Sequence, residues 1–174
     1  MTTLSGVPAG TSAAAFLYAD FPLEHASTRR MLERFPNQHA SWRPHERSRT
    51  LAELATHVAD IPNRGTMVLT NDSVDVMQRQ PVAPVADVEA LLAHFDAARG
   101  QLDAALAIAD FATLEEPFTM RRGDQVLVSS PRRLLLRTMV ASHLGHHRAQ
   151  LGLYYRMLGV PVPGMYGPSA DEAR

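Results

Sequence analysis

Cysteine is absent from the 174 residues, which excludes disulfides, thiolate metal ligands and a nucleophilic thiol in the protein itself. Any thiol chemistry would need a sulfur brought by another molecule. Lysine is absent too, and all 17 basic residues are arginine, so Schiff-base mechanisms and P-loop phosphate binding drop out. An excess of one charge is also missing. The 17 basic residues face 18 acidic ones for a formal charge of -1, and no basic stripe marks a nucleic-acid partner. No uninterrupted apolar run reaches the ~18 residues of a membrane span, and the N-terminus has no basic segment followed by an apolar one. A cytoplasmic protein with no membrane partner is expected. What is present is an ordinary globular composition, 45% hydrophobic, in a length that suits a single domain over residues 1–174.

The first 12 residues are small and polar and read as a mobile leader. Over residues 13–35, Leu17, Phe21, Met31, Leu32 and Phe35 recur at helical spacing, and Pro22 either kinks this helix or marks its start. Pro36 and Trp42-Arg43-Pro44 end the pattern. Thr50-Leu51-Ala52-Glu53 has the spacing of a capping box, so a second helix starts there, with Leu54, Val58, Ile61 and Val68 as its buried stripe and a bend at Pro62. After a polar, proline-bearing connection, Val88, Leu91, Leu92, Phe95, Leu102, Leu106 and Ala109 mark a third helix of about six turns. Alternation over residues 118–129, around the turn Arg121-Arg122-Gly123-Asp124, predicts a small β-hairpin. Ser130 and Pro131 read as the N-cap and first position of a fourth helix, which runs to a C′ glycine at Gly159. The prolines and glycines from Pro161 onward predict an irregular C-terminal tail. The fold class is therefore all-α: a four-helix bundle with long connections, a small hairpin before the last helix and an irregular tail.

On the fourth helix, His143 and His147 are four residues apart, hence about 40° apart around the axis and able to reach one ion. They sit in the stripe Leu136, Val140, His143, His147, Leu151, Tyr154 and Leu158, which is otherwise apolar and faces inward. Two imidazoles in a core compete for few hydrogen-bond partners unless an ion joins them. An i, i+4 pair alone is nonetheless a weak motif, and a buried histidine is more often a satisfied core residue. His146 could replace His147 on geometry alone. His57, close to the stripe of the second helix, could supply a third ligand. Asp60, one turn further on, could orient a ligand or act as a base, against the commoner role of a solvated helix carboxylate. His25, His39, His45 and His94 read as surface or loop histidines.

The stretch Ser142-His143-Leu144-Gly145-His146-His147-Arg148-Ala149-Gln150, followed by Tyr154-Tyr155-Arg156-Met157-Leu158-Gly159-Val160-Pro161, resembles the last-helix signature of the DinB-like family, which is distinct from the similarly named DNA polymerase. Trp42-Arg43-Pro44 leading into residues 51–57, and the ending from Val160-Pro161-Val162-Pro163 through Tyr166-Gly167-Pro168, agree with it. Ala149 departs from it, standing where glycine is frequent. The resemblance implies a metal held by His57 on the second helix and by His143 and His147 on the fourth, with His146 outside the ligand set. It also implies a homodimer.

Three neutral histidines leave a tetrahedral divalent ion an open position and its full charge, as catalytic sites do. Zinc or nickel come first as that ion, and iron after them. Because members of the family include thiol-dependent S-transferases and a thiol-dependent isomerase, the resemblance implies transfer of a low-molecular-weight thiol to an electrophilic small molecule. A non-catalytic metal- or ligand-binding stress protein is the alternative. Metal-dependent hydrolysis is a third reading and needs a general base, for which Asp60 is the visible candidate.

Overall fold

The computed structural model describes residues 12–172. Helix α1 (Ala13–Leu17) is short and begins at Ser12, whose Oγ accepts the Ala15 amide at 3.0 Å and donates to the Leu106 carbonyl at 2.6 Å. The leader expected over the first 12 residues otherwise lies outside the described residues. Pro22 marks a start and not a kink: α2 (Phe21–Leu32) carries it in its first turn, where a missing N–H costs nothing.

Helix α3 (Leu51–Thr70) opens with the capping box read from the sequence, as Thr50 and Glu53 satisfy each other's amides at 3.2 and 2.6 Å. Its stripe Leu54, Val58, Ile61 and Val68 is buried, each side chain contributing roughly 1.5–3 kcal/mol relative to exposure. Its C-terminal carbonyls would be orphaned without help. The buried Arg132 supplies it, donating from Nη1 to the Val68 and Asn71 carbonyls and from Nη2 to Asp72 at 2.9 Å. A strand β1 (Ser73–Asp75) follows, then α4 (Val88–Ile108), α5 (Phe111–Glu115), β2 (Pro117–Arg122) and β3 (Gln125–Pro131). The expected hairpin is therefore part of a three-stranded sheet. β2 and β3 pair antiparallel around Gly123, which takes φ 56°, and β1 adds in parallel to β2.

The last helical column comprises α6 (Arg132–Leu136), a π-helical segment (Arg137–Ser142) and α7 (His143–Met157). Ser130 does not cap it. That residue pairs with Phe118 in the sheet, and the column starts after Pro131. The π segment advances less rotation per residue than an α-helix, so it resets the face on which His143 and everything after it sits.

Helices α2, α3, α4 and the last column form the four-helix bundle, with α3 central: it packs against α4, α7 and α2. Gly65 permits a close approach of α4 and the last column to α3. A Cβ there would lie 2.7 Å from Leu102 Cδ1 and 3.0 Å from Val140 Cγ2. The tail after Gly159 is irregular as expected and is tied down by Arg156 to Asp171 at 2.8 Å and by the Gly164 amide to Glu172 at 2.7 Å. No helix among the described residues is long and apolar enough to cross a membrane.

Candidate metal centre

Because α3 and α7 pack face to face, His57 meets His143 and His147 between them. One nitrogen from each ring lies within 4.8 Å of the other two. His57 Nε2 and His143 Nε2 are 2.9 Å apart, and the His57 and His147 rings meet edge to face with centroids 4.4 Å apart. Donors on a tetrahedral ion with bonds of ~2.0–2.1 Å are spaced about 3.3 Å apart. The closest pair lies a few tenths of an ångström inside that spacing and the others lie within 4.8 Å, so the three rings are near enough to one another to hold one divalent ion once they close on it.

The rings are chemically prepared for that role. Burial, reinforced by the nearby Arg49 guanidinium, pushes the His57 pKa down to about 3. Burial and Arg64 bring His143 down to about 4. Burial lowers His147 as well, against a hydrogen bond to Gln150 that raises it. All three are biased toward the neutral form, in which each ring has a nitrogen lone pair to offer a metal. His147 Nδ1–H donates to Gln150 Oε1 at 2.7 Å, which fixes the tautomer and turns Nε2 toward the cluster. Gln150 was not singled out from the sequence as a partner of the site. Its place one turn after His147 on the same helix was the available signal.

His146 is exposed on α7 and stays outside the cluster, although its ring centroid is 4.8 Å from that of His147. Asp60 is buried and does not join the cluster either. Its Oδ1 accepts from Asn63 at 2.8 Å and from His94 Nε2 at 3.2 Å, and it shares a cavity wall with His57.

Two histidines expected at the surface are placed differently. His94 is half-buried on α4 because Asp60 gives it a partner across the α3–α4 interface. His25 is 1% exposed on α2, packed between Phe21 and Phe95 with ring centroids 5.7 and 6.1 Å away, and neither ring nitrogen has a hydrogen-bond partner. His39 and His45 lie in the stretch between α2 and α3, as expected of loop residues.

The architecture is shared with solved structures. A DinB-like protein from Bacillus subtilis superposes with a TM-score of 0.67 at 19% identity, over 86% of this chain and 96% of that one. A DinB-like protein from Bacillus cereus gives 0.65 at 21% identity, over 86% and 95% of the two chains. A protein from Exiguobacterium sibiricum described as a candidate member of the DinB family gives 0.60 at 22%, over 91% and 95%. These likenesses establish the fold. No curated protein matches the sequence. The sequence profile of the DinB superfamily matches residues 23–151, a span that includes all three converging histidines. The chain belongs to the DinB superfamily.

Proposed function

We propose that this chain is a one-domain metalloenzyme in which His57, His143 and His147 hold one divalent ion, zinc or nickel before iron, for transfer of a low-molecular-weight thiol to an electrophilic small molecule. The observation that carries this reading is the meeting of three imidazoles, with no carboxylate among them, one of which, His57, lines a cavity. Such a donor set leaves a bound ion its full double charge, which lowers the pKa of a thiol or water that it takes as a further ligand.

The chain's own residues supply the rest. Gln150 holds the His147 ring in its tautomer. Asp60, oriented by Asn63 and His94 through Oδ1, is the base that takes the S–H proton of the incoming thiol. The sulfur lone pair forms the new C–S bond, the bond from that carbon to the leaving group breaks with its electron pair, and Asp60 passes the proton to solvent. The absence of cysteine is consistent with a sulfur that arrives on the cosubstrate. A cytoplasmic location, where such thiols are kept reduced, belongs to the same reading. So does a homodimer, which the exposed Leu153 and Met157 on α7 support.

The same Asp60–His94 pair favours a second reading, hydrolysis, in which water replaces the thiol. One experiment separates the outcomes. The protein loaded with zinc or nickel is incubated with an activated aryl halide and each of several low-molecular-weight thiols, with His143→Ala alongside. Metal-dependent thioether formation that vanishes in the variant supports transfer. Release of the phenol with no thiol incorporated supports hydrolysis, and no rate above background with stoichiometric metal leaves a binding protein.

A further inference from the structure

A cavity of about 820 Å³ lies beside the three histidines, with His57 and Asp60 in its wall. That volume is in the range of small-molecule sites. Five arginines line it, Arg43, Arg47, Arg49, Arg64 and Arg79, against three carboxylates, Glu46, Glu53 and Asp60. Two of those carboxylates are already engaged, Glu53 in the cap of α3 and Asp60 with Asn63 and His94. By contrast, Arg49, Arg64 and Arg79 enter no ion pair among the described residues. The Arg64 Nε is buried with no hydrogen-bond partner. A guanidinium has five donors and ordinarily finds acceptors for them when water is excluded.

The placement of these residues is directional. His57, Asp60 and Arg64 follow one another at successive turns along a single face of α3. Arg49 immediately precedes the Thr50 cap, and Arg79 comes from the connection between β1 and α4. That connection is pinned to α3 where the Val85 amide donates to Thr56 Oγ1 at 2.8 Å. Val76, Pro81, Val82 and Met120 give the cavity an apolar side. Five guanidiniums outnumber the three carboxylates of this wall, and with no direct ion pair at Arg49, Arg64 or Arg79 an anion is the ligand that offsets the excess positive charge. Burial, followed by Arg79, lowers the Arg64 pKa, with Asp60 opposing.

We propose that this cavity takes a small anionic molecule with an apolar body, its carboxylate or phosphate held by Arg49, Arg64 and Arg79 and its reactive end toward His57. The planar forks of arginine suit bidentate pairing with either group. The assignment rests on the proposed use of the site and adds the class of its substrate.

Titration calorimetry with 3-phenylpropionate, phenyl phosphate and the neutral 3-phenylpropionamide tests it, on the protein as purified and after metal depletion. An anion is expected to bind in both states, roughly tenfold or more tighter than the amide, and to weaken as salt is added. The tighter of the two anions names the head group. Arg64→Gln is expected to weaken that anion by roughly tenfold or more, while Arg122→Gln on the hairpin leaves it unchanged. Should Arg64→Gln fail to fold, Arg79→Gln carries the same comparison. Amide binding as tight as the anions, no anion binding at millimolar concentration, or unchanged affinity in the arginine variants overturns the assignment. No thiol is present, so anion binding that survives while thiol transfer fails overturns the transfer reading alone.

Discussion

His57 Nε2 and His143 Nε2 stand 2.9 Å apart although 86 residues separate them in sequence. This contact couples α3 to α7, and any ion held there must draw on both helices. Replacing His57, His143 or His147 singly by Ala is therefore expected to cost more than about 100-fold in metal affinity, beyond the 10–100-fold typical of outer-shell partners. His146→Ala, on the exposed face of α7, is expected to keep stoichiometric metal. Elemental analysis after loading and desalting reads both. Full metal content in His57→Ala, or its loss in His146→Ala, would exclude the proposed ligand set.

Asp60 accepts two hydrogen bonds at Oδ1 while lying outside the histidine cluster. Asp60→Asn keeps an acceptor of the same shape and removes the charge. Metal content is expected to hold, KM to change little and kcat to fall by about 10²–10⁴. A variant that retains kcat eliminates Asp60 as the base, and one that loses metal shows that it supports the ligands instead.

Arg148 is 2% exposed and ties three elements together. It donates to the Glu24 carbonyl at 3.0 Å, Thr28 Oγ1 at 3.1 Å, Glu24 Oε2 at 2.7 Å and the Tyr166 hydroxyl at 2.6 Å. Arg148→Ala leaves Glu24 without its cation and takes from the Tyr166 hydroxyl one of its two partners, for an expected loss of about 3 kcal/mol. Urea unfolding measures it. A loss below about 1 kcal/mol would mean that water replaces these contacts at no cost.

Where a feature depends on local pattern, the sequence was readable. The Thr50–Glu53 cap, the stripe of α3 and the inward His143–His147 pair all follow from spacing within one helix. The inclusion of His57 required the family resemblance, because its apposition to α7 is a tertiary relationship. The π-helical segment was not readable, since nothing in Arg137–Ser142 distinguishes it from an α-helix until packing acts on it. The strand β1 was missed because three residues in a polar stretch carry no alternation of their own and pair only once β2 exists. The burial of His25 does have a local signal. Phe21, His25, Thr28 and Leu32 form one helical stripe, and all four are buried.

That burial makes His25 a test of how the fold responds to acid. Its ring nitrogens lack hydrogen-bond partners, and the charges that face it are Asp103, 3.8 Å from Nδ1, with Arg99 and Glu24. Burial outweighs Asp103 and lowers the pKa in the folded chain below its ordinary 6.5. As pH falls through 6.5, the unfolded chain takes up a proton that the folded chain refuses, so stability is lost until the folded group itself titrates. His25→Leu removes both the two unpaired nitrogens and this titration. The variant is expected to be about 1 kcal/mol more stable at pH 7, and its advantage should widen as pH is lowered from 7 to 5. Comparing the two proteins by urea unfolding at each pH cancels the contribution of the other histidines, which both share. An advantage that stays constant with pH would mean that His25 protonates in the folded chain as readily as in the unfolded one, with Asp103 close enough to compensate for burial.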